Sequence, residues 1–241
     1  GLAAALARGA AAAGAAIHEH SPVERIAGEG GDFRLRWEHA GRRGETRAAV
    51  VVLAASCRSR HLDPTGRLAR LLCPLRAQAL ATGPLPAAVV AGLPELPISS
   101  HFCYEYMRRH GDRLVAGGMR WSVPGEEVGL EDTGTINPQV HRNLLQWLER
   151  HLPALAGVEA ERAWTGILCA TPDGLPLCGM VPGKGGLFVL AGFNGYGLSL
   201  APALAADLAD QVREGRAQRE WQLLFRPDRF FRGCFFRGCF F

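Results

Sequence analysis

The strongest constraint in this sequence is a run in which a buried strand, a glycine-rich turn and a helix follow one another. Leu187–Ala191 is continuously apolar and predicts a buried strand, and the turn sequence Gly-Phe-Asn-Gly-Tyr-Gly follows it at 192–197. A helix is predicted from about Ser199 to Arg213, with Pro202 in its first turn and Gly215 as its end. This run predicts either a ligand-binding turn or a tight strand-to-helix connection.

The residues between the glycines favour the ligand-binding interpretation. The glycine spacing is not G-x-G-x-x-G, and no Gly-Lys-Ser/Thr follows as in a P-loop. Phe193, Asn194 and Tyr196 are bulky choices for a mere connection. Glycines at 195 and 197 can let a ligand approach the helix N-terminus, where unpaired N–H groups carry partial positive charge.

The N-terminal quarter predicts a helix followed by strands. An Ala-rich helix begins near Leu2, and Ala48–Ala55 is an apolar run with three valines, typical of a strand buried on both faces. Three shorter strands are predicted between them, at Ala16–Glu19, Val23–Ile26 and Phe33–Trp37. Together with the later strand-to-helix unit, this order predicts a mixed α/β fold.

The middle of the chain predicts a mainly antiparallel sheet and one helix. Residues 60–100 are rich in Pro and Gly, with one strand at Cys73–Ala81. A hairpin is predicted from Phe102–Arg108 and Arg113–Gly118, and a further strand from Trp164–Cys169. Asn137 and Pro138 are a helix-start signal, and the helix is predicted to run to His151.

Composition excludes several classes of function. A net charge of +4, spread along 241 residues, leaves no Lys/Arg block that would bind nucleic acid, and no apolar stretch is long enough to span a bilayer. The seven cysteines form no C-x-x-C pair and fit no zinc module, so reduced thiols and a cytoplasmic location are expected, without a metal. Because the chain opens at Gly1 inside a helical pattern, we interpret its start as the interior of a longer protein or as a trimmed terminus.

Three segments resemble the C-terminal flavin-binding signature of the D-amino acid oxidase-like (DAO) FAD-dependent oxidoreductases, such as glycine oxidase and γ-glutamylputrescine oxidoreductase. They are Trp164–Gly166, Ala170–Gly179 with its Thr-Pro-Asp-Gly turn, and Gly186–Gly197. Ser21–Ile26 and Ala49–Ser56 are similar to the middle flavin-binding stretch of the same family. The resemblance covers about residues 1–215.

The resemblance implies an incomplete Rossmann-like FAD-binding domain with an inserted, mainly antiparallel substrate domain. The FAD-binding part would comprise 1–60 and 161–225, and the substrate domain 61–160. It also implies oxidation of a small amine by hydride transfer to flavin, with no protein acid or base strictly required. The implied cofactor-binding residues are Val23, Ala54, Ala55, Ser56, Gly166, Gly192, Phe193, Asn194, Gly195, Tyr196, Gly197, Leu198 and Ser199.

The sequence departs from the family pattern in two places. The family's opening G-x-G-x-x-G unit, which grips the ADP half of FAD, is not among these residues. Leu168 stands where amino-acid oxidases of the family place an arginine that clamps the substrate carboxylate, so the resemblance favours amine substrates. Tyr104, Tyr106 and Leu168 are the implied substrate-binding residues, and Arg108 or Arg120 is an alternative carboxylate clamp.

Two alternatives to an amine oxidase remain open at this point. One is an amino-acid oxidase or dehydrogenase acting on glycine or a D-amino acid; the other is an inactive fragment that serves as a scaffold or binding subunit. An oligomer is possible. Residues 226–241 are predicted to be a low-complexity tail, because Phe-Phe-Arg-Gly-Cys occurs twice in its last twelve residues.

Overall fold

The computed structural model describes residues 1–100, 104–215 and 220–231. Its α-helices are α1 (Leu2–Ala12), α2 (Ser59–Leu62), α3 (Ala87–Gly92), α4 (Pro138–His151) and α5 (Gly197–Glu214). Short 3₁₀ segments lie at Ser56–Arg58, Leu68–Arg70, Arg120–Ser122, Pro124–Glu127, Pro153–Leu155, Glu220–Phe225 and Pro227–Phe230.

Eleven strands of the described residues form three sheets. They are β1 (Val23–Glu29), β2 (Asp32–His39), β3 (Arg42–Ala48), β4 (Val51–Leu53), β5 (Cys73–Thr82), β6 (Ile98–Ser100), β7 (Glu105–His110), β8 (Arg113–Gly118), β9 (Ala160–Ala170), β10 (Leu177–Met180) and β11 (Leu187–Ala191). β1, β2 and β3 form an antiparallel sheet, and β6–β7–β8–β5–β9 form a second, five-stranded antiparallel sheet. In the third, of order β10–β11–β4, β10 is antiparallel to β11 and β11 is parallel to β4.

The five-stranded sheet is covered on one face by α4. Asn137 caps this helix, because its side chain accepts hydrogen bonds from the N–H groups of Gln139 and Val140. Leu144 and Trp147 pack from the helix into a core with Leu80 and Leu114 of the sheet. The predicted helix, its cap and the β7–β8 hairpin are therefore confirmed for the described residues.

In the third sheet the two parallel strands have different surroundings. All five residues of β11 are buried, with Val189 in a core against β1 and β2 and Phe188 in a second core against α5. In β4 only Val51 and Leu53 are buried, whereas Val52 is 44% exposed. The prediction that Ala48–Ala55 forms a strand buried on both faces is wrong, because no described element covers the second face of β4.

Other local predictions are corrected by the structure. Residues 15–20 contain no strand, so the predicted strand Ala16–Glu19 is wrong. Strand β3 was not predicted: Gly44 and several charged residues hide its alternation, and its pairing with β2 stabilises it. Helix α5 begins at Gly197, so Pro202 lies inside the helix beyond its first turn.

Two remaining sequence expectations concern membrane-spanning helices and the C-terminal tail. None of the helices in the described part of the chain combines the length and apolar character that crossing a bilayer requires. Most of the repeated Phe-Phe-Arg-Gly-Cys tail, from residue 232 onward, lies outside the described residues. The part of 226–241 that is described includes the 3₁₀ turn Pro227–Phe230, which packs on β10.

Candidate functional site: a cavity between the antiparallel sheet and the turn after β11

The glycine-rich turn after β11 is held in shape by the side chain of Asn194. Its amide group donates to the Gly192 carbonyl at 2.7 Å, and its carbonyl oxygen accepts from the Thr171 N–H at 3.1 Å. The Asn194 backbone is left-handed, with φ of 53°, a conformation that asparagine tolerates better than most residues. These hydrogen bonds therefore fix the conformation of the turn.

The neighbouring Thr171–Leu175 turn is fixed by an arginine from near the C-terminus. Arg229 makes a bidentate contact with the Asp173 carboxylate, at 2.7 and 2.9 Å, and also donates to the Leu175 carbonyl at 2.8 Å. Burial alone would raise the pKa of Asp173, but hydrogen bonds from Arg229 and from the Leu175 N–H lower it overall. Sequence reasoning identified the turn but missed this partner, since nothing in the spacing links residues 173 and 229.

These two turns face the open side of the five-stranded sheet across a cavity of about 610 Å³, which we call the central cavity. The sheet contributes Tyr104, Tyr106 and Leu168, and the turn after β11 contributes Asn194, Gly195 and Tyr196. Leu75, Ala77, Ser99, Gly118, Arg120 and Ala170, and Thr171, Pro172 and Gly174 from the second turn, complete the lining. The structure thus brings predicted cofactor-binding and predicted substrate-binding residues to one site of a size typical for small ligands.

Tyr106 lies flat on the sheet because its neighbour has no side chain. A Cβ atom at Gly117 would overlap the Tyr106 ring. The exposed surface of Tyr106 faces the cavity, and this partial burial raises the pKa of its hydroxyl, so that the group stays protonated at neutral pH. The ring therefore gives the cavity an apolar wall and a hydroxyl that can donate a hydrogen bond.

The two arginines considered as alternative clamps occupy different places. Arg120 lines the central cavity, and its guanidinium carbon lies 4.9 Å from the centre of the Tyr104 ring. Arg108 follows Tyr106 by two residues on β7, but it is exposed and does not line the cavity. The geometry therefore separates two candidates that the sequence left equivalent.

The helix N-terminus and Gly195 fit the approach of an anionic, planar ligand such as the flavin ring. No side chain caps α5, and its first turn contains no acidic residue, so its partial positive charge is uncompensated. Gly195 has φ of +94°, and a Cβ atom placed there would meet no described atom within 4 Å. Gly197 lacks this left-handed conformation and does not line the cavity, so of the two glycines only Gly195 has the geometry that the predicted close approach requires.

Other predicted cofactor-binding residues lie elsewhere. Val23, Ala54 and Ala55 line a second cavity of about 570 Å³ beside β4. Gly192 is packed against Thr171, where an added Cβ would overlap the threonine methyl group. The remaining predicted positions line neither cavity; they are Ser56, Gly166, Phe193, Gly197, Leu198 and Ser199.

Three of the described cysteines are too deeply buried to be reactive nucleophiles. Cys57, Cys169 and Cys178 are buried and free. Burial raises the pKa of the Cys169 and Cys178 thiols to about 12 and also raises that of Cys57. These three thiols remain protonated at neutral pH, and none of them lines the central cavity.

Comparison with known proteins gives a consistent result. The family model for FAD-dependent oxidoreductases, named DAO, matches residues 1–211. Glycine oxidase of Geobacillus kaustophilus is 30% identical over 212 residues, which are 88% of this chain and 52% of that protein. Human mitochondrial sarcosine dehydrogenase is 27% identical over 223 residues, 89% of this chain and 24% of that protein.

Solved structures agree with the sequence matches. The crystal structure of glycine oxidase from Geobacillus kaustophilus superposes with a TM-score of 0.73 at 26% identity, covering 93% of this chain and 56% of the other. The chain thus spans about half the length of the glycine oxidases it matches.

Proposed function

Since this chain belongs to the DAO family of FAD-dependent oxidoreductases, we propose that its central cavity holds the flavin ring and the reacting part of an amine substrate. The activity proposed for the natural protein that carries this sequence is oxidation of the substrate's C–N bond. The observation that carries the proposal is the meeting of Tyr104, Tyr106 and Leu168 with Asn194, Gly195 and Tyr196 around one cavity.

Bound FAD would supply the redox chemistry, which is uptake of a hydride from the carbon next to a neutral amine, and the imine so produced would be hydrolysed by water. The chain's own residues orient the flavin and the substrate and tune the reactivity of the flavin. Gly195 leaves space for the ring to approach the backbone, and the uncapped N-terminus of α5 stabilises negative charge beside it. Tyr106 provides a wall and a hydrogen-bond donor, and no described group in the cavity is needed as a base.

The proposed substrate is an amine rather than a free α-amino acid. Leu168 lines the central cavity. By the sequence resemblance, it stands at the position where the family's amino-acid oxidases place an arginine. A carboxylate buried without a charged partner costs several kcal/mol. The alternative is an amino-acid oxidase, which the names of the matching glycine oxidases favour.

The test is a comparison of substrate classes in the natural protein. Wild type is expected to reduce its flavin faster with n-butylamine than with glycine when mixed without oxygen. Leu168→Arg is expected to shift the ratio of kcat/KM toward glycine by roughly a hundredfold. Leu168→Met, which preserves the size and apolar character of the side chain, is the matched control and should leave the ratio unchanged.

Each possible result decides between the candidates. A wild-type preference for glycine would support the amino-acid oxidase and exclude Leu168 as the specificity position. A flavoprotein whose flavin no amine or amino acid reduces, or a protein that holds no flavin, would support the scaffold alternative. An unchanged ratio in Leu168→Arg with normal flavin content would show that this side chain does not contact substrate.

The domain division, partners and location are proposed on the same basis. We assign residues 1–60 and the segment after β9 to FAD binding, because β4 and β11 pair in parallel. We assign the five-stranded sheet, including β9, to the substrate domain, since β9 pairs with β5 along most of its length. We propose that Val23, Ala54 and Ala55 contact FAD in the cavity beside β4. We also propose that the binding partner is a small amine. The proposed location of the protein is the cytoplasm.

A further inference from the structure

The central cavity has an uneven charge distribution. Among the described residues that line it, Arg120 alone carries a charge; the others are apolar, hydroxyl-bearing, glycine or amide residues. We propose that Arg120 binds a carboxylate of the substrate, so that the oxidised amine carries an acidic group at a distance from its reacting C–N bond. This inference rests on the proposed function and specifies its substrate class.

Arg120 is held in place by a rigid turn. Met119, which precedes it, has a left-handed backbone with φ of 61°. The indole N–H of Trp121 donates to the buried Glu105 carboxylate, and Asn143 of α4 donates to the Ser122 hydroxyl at 2.7 Å. The guanidinium is therefore presented to the cavity at a fixed position, as a carboxylate-binding arginine requires.

The environment of Arg120 is that of a binding group rather than a solvated surface charge. Only 13% of its side chain is exposed, and the guanidinium stacks over the Tyr104 ring. Stacking orients the planar group and directs its N–H edge away from the ring, so that the edge can donate two parallel hydrogen bonds to a carboxylate that takes the place of its present partner.

The present partner of Arg120 is a carboxylate that can be replaced. Arg120 donates to the Glu126 carboxylate at 3.0 Å and to its carbonyl at 3.2 Å, yet 49% of the Glu126 side chain is exposed. Glu126 also lies in a turn with three successive left-handed residues, from Gly125 to Glu127. A substrate carboxylate can displace this exposed partner, because Glu126 is rehydrated when it leaves whereas Arg120 stays desolvated.

The position of Leu168 explains why the acidic group is remote. Arg120 and Leu168 line the same cavity. By the sequence resemblance, Leu168 stands at the position of the arginine that holds an α-carboxylate in the related amino-acid oxidases. A substrate that satisfies both carries its amine beside Leu168 and its carboxylate at Arg120. Amino acids in which several carbons separate the two groups have this form, and simple α-amino acids do not.

The kinetic test compares 4-aminobutanoate with n-butylamine, which has the same chain length without the carboxylate. In the natural holoenzyme, wild type is expected to favour 4-aminobutanoate, and Arg120→Gln to lower the kcat/KM ratio of the two by about 10–100-fold. Glu126→Gln should raise the ratio severalfold, since it removes the competing carboxylate. A loss for both substrates alike in Arg120→Gln, or a larger change of ratio in Arg108→Gln, would overturn the inference.

A second measurement does not depend on turnover. Butanoate is titrated into the natural protein as purified while the side-chain Nε–H signal of Arg120 is followed by NMR, with n-butylamine as the control ligand. A saturable shift caused by butanoate alone supports the inference, and its absence overturns it. If no amine reduces the flavin but butanoate shifts this signal, the proposed oxidase function fails and the carboxylate site stands.

Discussion

The five-stranded sheet lines the central cavity directly, whereas the β10–β11–β4 sheet reaches it only through the turn after β11, and the described residues cover the two sheets to different extents. The five-stranded sheet has α4 on one face, with Leu144 and Leu80 fully buried between them. The parallel pair β11 and β4 is covered on both faces only at β11, and β4 leaves Val52 exposed at the edge of its sheet. The described residues therefore cover one face of the sheet that we propose binds substrate, whereas the strand pair that we propose binds flavin leaves apolar surface exposed.

This difference shows that an apolar strand sequence indicates a strand suited to burial. It does not show that the described residues bury it. Val51, Val52 and Leu53 read as fully buried, yet a strand at the edge of a described sheet has one unpaired row of backbone groups. Helix α1 shows the same feature, because none of its residues is buried and Leu6 is 59% exposed.

The largest effect that separates the two regions is expected from the same substitution made in each. Leu144→Ala in α4 should lower the free energy of unfolding by about 2–5 kcal/mol, because it opens a cavity in a complete core. Leu6→Ala in α1 should change it by about 0.5 kcal/mol or less. Urea denaturation of both variants measures this, and equal losses would mean that α1 is packed in solution.

The second largest effect is expected at the Thr171–Leu175 turn, which connects the two sheets. Arg229→Met removes the bidentate partner of Asp173 and leaves its largely buried carboxylate without a charged partner. The free energy of unfolding is expected to fall by roughly 2–3 kcal/mol. Arg213→Met is the matched control, since its ion pair with Asp210 is exposed and should contribute little.

Lowering the pH should weaken the Arg229–Asp173 ion pair in the wild-type protein. Because the folded state lowers the pKa of Asp173, its contribution to stability is complete above the unfolded pKa of about 3.9 and is lost as the pH falls through the folded value. Wild type is therefore expected to lose stability below about pH 4 more steeply than Arg229→Met. Parallel acid slopes for the two proteins would show that the ion pair does not contribute.

The smallest expected difference in stability comes from the same substitution in each of the two parallel strands. Val189→Thr puts a hydroxyl into the buried strand β11 and should cost about 1–3 kcal/mol. Val52→Thr makes the same change on the exposed face of β4 and should cost about 0.5 kcal/mol or less. Thermal unfolding of the two variants tests the contrast; a comparable loss at Val52 would show that its face is covered in solution.

Local patterns sufficed for much of this fold. The cap at Asn137, the helix that it starts and the buried strand β11 depend on neighbours in sequence, and each is found as predicted. The residues of the turn after β11 were also recognised, but sequence alone did not distinguish Gly195, with its left-handed backbone, from Gly197, which begins a helix.

What the sequence could not supply depends on contacts between distant residues. Arg108 and Arg120 are equivalent as sequence candidates, and only the turn that follows β8 places Arg120 in the cavity. The Arg229–Asp173 contact joins residues 56 positions apart, and no periodicity signals it. Burial of β4 likewise depends on what covers it, which its own composition does not show.

The central claim, that the flavin ring lies against the turn after β11, is tested most directly by flavin retention in paired glycine variants of the natural protein. Gly195→Val and Gly157→Val replace glycines that both have a left-handed backbone and open space at the Cβ position, but only Gly195 lines the central cavity. Both should lose similar stability from backbone strain. Gly195→Val is expected to purify without flavin while Gly157→Val keeps the wild-type flavin-to-protein ratio; wild-type flavin content in Gly195→Val would contradict the account.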